Sequence, residues 1–205
     1  MTQTPPVHTA GWHRRDFLAG LALLGAAAGR PALAARQLAR ALAPHQALMR
    51  DVAQLVIPRT ATAGAGEVGV GSFVLLALAH GLEGARKPVT DPALAAFTAG
   101  DGTLDHAGWL AAELDRRLGA PFARATPARR HQALAALDGD AFAGQAAAQP
   151  WHVVKNLILL GYYTSQTGGA QELRYVHVPG RYDPDLPADA HTRAFSSDWT
   201  AIDFG

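Results

Sequence analysis

Apolar residues recur at helical spacing along most of the chain, and the breaks in the pattern fall at proline and glycine. Between Arg36 and Ile57, residues Leu38, Leu42, Leu48, Val52, Leu55 and Val56 keep that spacing, interrupted by Pro44. They predict a helix from near Pro44 to Ile57, stopped by Pro58, which has no amide hydrogen to donate. A Gly/Ala/Thr loop over 60–71 leads into a strongly apolar segment, 72–82, closed by Gly81 and Gly84. A polar stretch rich in Gly, Pro and Asp then runs to Gly102 and predicts a loop. From Leu104 to Leu118 the pattern is amphipathic. Trp109, Leu110, Leu114 and Leu118 share a face, with Glu113, Asp115, Arg116 and Arg117 off it.

Thr126-Pro127 joins a good N-cap to a proline suited to the first helical position, which predicts a helix from Pro127 to Leu137. Asp140 is expected to cap another short turn through Ala141 and Phe142. The span 151–165 carries Val153, Val154, Leu157, Ile158 and Leu160 with very little charge, and predicts a central buried helix. After Gly168-Gly169 the chain changes character. Residues 170–205 hold Pro179, Pro184 and Pro187, several aspartates and several aromatics, with no sustained period. Such a stretch reads as an extended tail laid against another surface.

About a fifth of the residues are alanine and only 7% are aromatic, a balance that favours helix over strand. The expected fold is all-α: a compact bundle of five or six helices with an extended, mostly irregular C-terminal tail. The expected divisions are 1–34, 35–169 for the helical domain and 170–205 for the tail.

The first division reads as an export signal. Arg14 and Arg15 are followed by Phe17 and Leu18, then by a weakly hydrophobic Ala/Gly/Leu run to Ala28, and Ala32-x-Ala34 supplies a small-residue cleavage site. The paired arginines before Phe17-Leu18 resemble the twin-arginine type of signal, which exports folded proteins. The apolar run would span roughly 18 Å as a helix, against about 30 Å of hydrocarbon, so it makes no stable membrane anchor. Read instead as the first helix of the fold, it would leave the Ala32-x-Ala34 site without a purpose.

The chain has 18 basic and 17 acidic residues, and without residues 1–34 it keeps 15 and 16. With no basic excess, nucleic acid is not an expected partner. The absence of cysteine excludes a disulfide scaffold, a cysteine zinc site, an iron–sulfur centre, attached haem and a thiol nucleophile. Gly64-Ala65-Gly66-Glu67-Val68-Gly69 fits the spacing of a dinucleotide loop, yet the apolar run before it belongs to a helix cut off by Pro58. Such a loop needs a strand feeding its first glycine, so the segment reads as a connector. Nine histidines include no H-x-x-x-H pair; His45, His80, His106, His131, His152, His177 and His191 are scattered. Asp101-Gly102-Thr103 and Asp138-Gly139-Asp140 read as turns and helix caps. Ser72 lacks a nucleophile elbow, and Glu67 and Glu113 do not pair by spacing. No catalytic, cofactor-binding or metal-binding residue is expected.

The informative block is Gly161-Tyr162-Tyr163-Thr164-Ser165, then Glu172-Leu173-Arg174-Tyr175, then Pro179-Gly180-Arg181-Tyr182, with an earlier Val56-Ile57-Pro58-Arg59-Thr60 followed by Gly64-Ala65. In these residues the chain resembles the gluconate 2-dehydrogenase subunit 3 family, the small gamma subunits of bacterial flavin-dependent sugar, sugar-acid and polyol dehydrogenases. The resemblance runs from about residue 47 to 187. Arg174 departs from it, standing where the family usually has glycine, and 84–102 matches little of it.

The resemblance implies a non-catalytic small subunit that binds no cofactor. Its partners would be an FAD-binding dehydrogenase of the glucose–methanol–choline type, an optional third subunit carrying haem c, and the twin-arginine translocase. It would stabilise the flavoprotein, carry it to the periplasm, and associate with the membrane only through the complex. Tyr162, Tyr163, Glu172, Tyr175, Pro179, Gly180, Tyr182 and Trp199 are the expected partner-binding residues. Two readings of other classes compete: a stand-alone periplasmic metal-dependent hydrolase, and a structural or assembly protein without a dehydrogenase partner.

Overall fold

A computed structural model of the chain describes residues 42–175 and 192–196, with residues 40, 185, 187 and 189. The export-signal residues Arg14, Arg15, Phe17, Leu18, Ala32 and Ala34 lie outside the described residues, as do Pro179, Gly180, Tyr182 and Trp199. The chain divides into residues 1–44 and 45–205, and the second unit holds five α-helices among the described residues. These are α1 (Gln46–Val56), α2 (Val70–His80), α3 (His106–Leu118), α4 (Pro127–Phe142) and α5 (Pro150–Tyr163). The fold is all-α.

Local chemistry explains most of the helix ends. Gly69 and Gly81, at φ 84° and 81°, bracket α2 in the left-handed region that suits glycine. The Asp105 carboxylate accepts from the Gly108 amide at 2.9 Å and opens α3. Thr126 accepts from the Arg129 amide and opens α4, with Pro127 at its first position.

Three sequence expectations are corrected. Asp138-Gly139-Asp140 lies inside α4, and Asp140 caps no new turn: the helix continues to Phe142. Tertiary bonds hold it there, with Trp151 and Lys155 on Asp138 and Arg117 on Asp140. The loop expected up to Gly102 contains a 3-10 helix, Pro92–Phe97, opened by Asp91 accepting from the Ala93 amide. Helical structure also runs past Gly169, in a π-helical turn over Thr167–Glu172. Beyond it β1 (Arg174–Tyr175) pairs in parallel with β2 (Phe195–Ser196), so the start of the expected tail is folded back on itself.

The helix expected to be central is so. α5 packs on α1, α2, α3 and α4, and its Trp151, Val154, Leu157, Ile158 and Tyr162 are buried. Met49 and Val52 of α1, Leu75 of α2, Trp109, Leu110 and Leu114 of α3, and Leu137 of α4 are among the residues that join it in the core. The two tryptophans also place their indole N–H groups. Trp109 donates to the Ala147 carbonyl at 3.2 Å and Trp151 to Asp138 at 2.6 Å.

Candidate functional site

Two segments about a hundred residues apart meet at one end of α5. The first is the loop after α1. Pro58 ends that helix, and the chain doubles back so that the Ala65 amide donates to the Ile57 carbonyl at 3.0 Å. Gln54 accepts from the Gly66 amide at 3.0 Å, and Glu67 accepts from the Gly64 amide at 2.9 Å while pairing with Arg59 at 2.9 Å. The glycines serve close approach. A Cβ on Gly66 would lie 2.5 Å from the Arg50 carbonyl oxygen, and one on Gly71 2.6 Å from the Arg50 nitrogen. The element before this loop is α1, a helix, so its glycines deliver no strand-to-helix phosphate turn.

The second segment is the C-terminal end of α5 with the π-helical turn. Tyr162 is 1% exposed, and its hydroxyl donates to the Ala63 carbonyl at 3.0 Å and sits 3.3 Å from the Thr62 hydroxyl. Thr62 in turn donates to the Glu172 carboxylate. Ser165 donates to the Tyr162 carbonyl at 2.6 Å and accepts from the Gly168 amide at 3.1 Å. A Cβ on Gly168 would stand 2.1 Å from the Tyr162 carbonyl oxygen, so glycine is needed there.

Arg193 closes the same end. Its guanidinium donates to the carbonyls of Gln171, Glu172 (3.0 Å) and Leu173 (2.7 Å), and the Arg174 amide donates to the Ala194 carbonyl at 2.8 Å. A groove of about 700 Å³ opens here, lined by Thr60, Thr62, Tyr163, Glu172, Leu173 and Arg193 among others.

The expected partner-binding residues separate in the structure. Tyr162, expected to bind a partner, is an internal tie in this chain: its ring is buried and its hydroxyl is used within the chain. Glu172 is half-buried and holds Thr62, so its carboxylate also works within the chain. Tyr163 is 40% exposed, lines the groove, and meets the Tyr162 ring edge-on at 5.2 Å between centroids. Tyr175 contributes backbone to β1. Thr62, Gln54 and Arg193 were missed from sequence: single polar residues in loops carry no periodic signal, and their partners are remote.

Elsewhere several charged groups are spent on structure. Burial pushes the Glu113 carboxyl up, but hydrogen bonds from Arg116 and Arg117 outweigh it and hold the group below its ordinary range. Asp138 behaves alike. Burial raises it, while the bonds from Lys155 at 2.7 Å and Trp151 bring it below the usual carboxylate value. Ser72 hydrogen-bonds Gln46 at 2.9 Å. Among the described residues no three His, Asp or Glu side chains converge as metal ligands, and no helix is long and apolar enough to cross a membrane.

No curated protein and no solved structure matches the chain. A family match extends over residues 43–180, taking in all five helices, the Gly64–Gly71 loop and the knot around Tyr162. Within that span lie the motifs of the sequence resemblance, and residues of them from Ile57 to Glu172 are drawn together at the end of α5. On this match the chain belongs to the gluconate 2-dehydrogenase subunit 3 family.

Proposed function

We propose that the chain is the non-catalytic small subunit of a periplasmic FAD-dependent sugar or alcohol dehydrogenase. Family membership over residues 43–180 carries the reading, since the family is that of a dehydrogenase subunit. In this reading the flavin and substrate sites belong to a glucose–methanol–choline type partner, and electrons pass to a haem c subunit where one is present. The complex touches the membrane only through such subunits.

The small subunit has two tasks. It stabilises the flavoprotein, and it lends an export signal. A flavoprotein folds around FAD in the cytoplasm, so it must cross the membrane already folded. Arg14 and Arg15 before Phe17-Leu18, with Ala32-x-Ala34 beyond, are the sequence features that support this route for the pair. The chain's use of Tyr162, Glu172 and its arginines for internal bonds agrees with a scaffold role.

The test replaces Arg14 and Arg15 together by Lys in cells producing both chains, and follows each polypeptide in the periplasmic fraction. Both should be lost from it while the cytoplasmic flavoprotein keeps its FAD. Undiminished flavoprotein in the periplasm would refute the shared signal.

A further inference from the structure

The groove at the end of α5, of about 700 Å³, is lined by polar groups that the fold leaves unused. One Glu172 carboxylate oxygen accepts from Thr62, and the other has no partner among the described residues. Arg193 spends Nε and Nη2 on three carbonyls. Among the described residues nothing takes its Nη1 hydrogens, and no carboxylate pairs with its charge. The Tyr163 hydroxyl and the Gln171 side-chain amide are likewise unbonded among those residues. The Thr60 hydroxyl, 3.3 Å from that of Thr62, adds one more group that donates or accepts.

These groups are already positioned. Thr62 holds Glu172, three carbonyls fix the Arg193 fork, and the Tyr163 ring meets Tyr162 edge-on at 5.2 Å while remaining 40% exposed. A ligand entering here has little left to order.

Their chemistry selects the ligand. An apolar molecule would set hydrocarbon against a carboxylate and a guanidinium. A phosphate or carboxylate suits Arg193 but is repelled by Glu172, and an ammonium group suits Glu172 but is repelled by Arg193. A hydroxyl both donates and accepts, so neighbouring hydroxyls on one molecule satisfy the Glu172 acceptor and the Arg193 donors together. Thr60, Tyr163 and Gln171 extend the same pattern. The carbon face of a sugar ring or polyol chain also lies well against an aromatic ring, which Tyr163 supplies. The volume falls within the roughly 300–1,000 Å³ of small-molecule sites.

We propose that this groove binds an uncharged polyhydroxylated molecule, a sugar or sugar alcohol, with Glu172 and Arg193 on adjacent hydroxyls and Tyr163 along its carbon face. The inference goes beyond the reading of the chain as a dehydrogenase subunit and stands on this chain's residues alone.

The test uses the full chain purified alone. It is titrated in a calorimeter with D-glucose and with D-sorbitol, and with cyclohexanol and inorganic phosphate as an apolar and an anionic control. Deuterium exchange with and without each compound locates the site. Glucose or sorbitol should bind saturably and slow exchange over residues 60–63 and 171–174 about threefold, and the controls should do neither. Tyr163→Ala and Gln171→Ala should each weaken binding about tenfold, as loss of a ring or hydrogen-bond contact does. Neither side chain makes a hydrogen bond among the described residues, so the helical circular dichroism of both variants should match the wild type. Phe142→Ala, at a residue that does not line the groove, should bind as the wild type does. Absence of saturable binding by both probes would make the groove a solvated crevice and overturn the proposal. Equal binding of cyclohexanol or phosphate, or binding that Y163A and Q171A leave unchanged, would overturn it as well. Failure of the chain to capture a dehydrogenase bears on the subunit reading and leaves this result as it stands.

Discussion

The Tyr162 hydroxyl donates to the Ala63 carbonyl at 3.0 Å, tying the end of α5 to the loop that follows α1 across 99 residues of sequence. The bond is made inside the chain by a tyrosine whose ring is buried, and it joins the two stretches on which the family resemblance rests most visibly. In this chain the residues of those two stretches therefore serve first of all to hold the fold together.

Replacing Tyr162 by Phe keeps the ring and removes the hydroxyl, leaving the Ala63 carbonyl without its donor. Loss of a hydrogen bond of this kind costs about 1–2 kcal/mol. For a chain of this size that is roughly a 3–6 °C fall in Tm, read by thermal melting.

Two glycines should respond in opposite directions. Gly168→Ala drives a Cβ against the Tyr162 backbone and should lose more than about 2 kcal/mol. Gly139→Ala, in the exposed interior of α4 with nothing near, should gain up to about 1 kcal/mol. Urea melts of both variants decide it.

This pair also shows what was legible beforehand. The apolar periods of α1, α3 and α5 gave the helices and most of the core, because burial of one face is written locally. Gly139 suggested a break in α4 that does not occur: the carboxylates on either side of it are held by Trp151, Lys155 and Arg117, contacts no local pattern reveals. Asp91-Pro92, by contrast, carried a readable cap-and-proline signal for the 3-10 helix within 84–102, and composition masked it. The β1–β2 pair could not be read, because parallel register joins two-residue strands 21 residues apart. Tyr162 and Glu172 stood out in the sequence as they do in the structure, but the side they face is a tertiary fact.

His106 is buried at the start of α3, with Nδ1 3.2 Å from the Leu104 carbonyl. Burial pushes its pKa below the ordinary 6.5, more strongly than the Leu104 carbonyl and Asp105 raise it. The unfolded chain therefore takes up this proton more readily than the folded one. Stability should be unaffected by His106 above the ordinary value and should decline as pH falls below it toward the folded-state value. His106→Gln should flatten that part of the profile, measured as urea midpoints between about pH 7.5 and 5.

Arg193→Lys keeps the charge but loses the planar fork that reaches three carbonyls at once. The Arg174 amide, bonded to Ala194, should then exchange with deuterium about tenfold faster, a loss of about 1.4 kcal/mol in local opening. Amides in the middle of α5 should keep their rates.

The central claim is that this chain serves a flavoprotein and performs no oxidation itself. The most direct measurement is an absorbance spectrum and a dye-reduction assay, with sugars and alcohols as substrates, on the tagged chain purified alone and purified from cells that also make the dehydrogenase. Alone it should be colourless and inactive; from the second cells it should bring down a yellow, active complex with the two chains in fixed ratio. A lone chain that carries flavin and reduces dye, or a dehydrogenase equally abundant and active without this chain, would contradict the account.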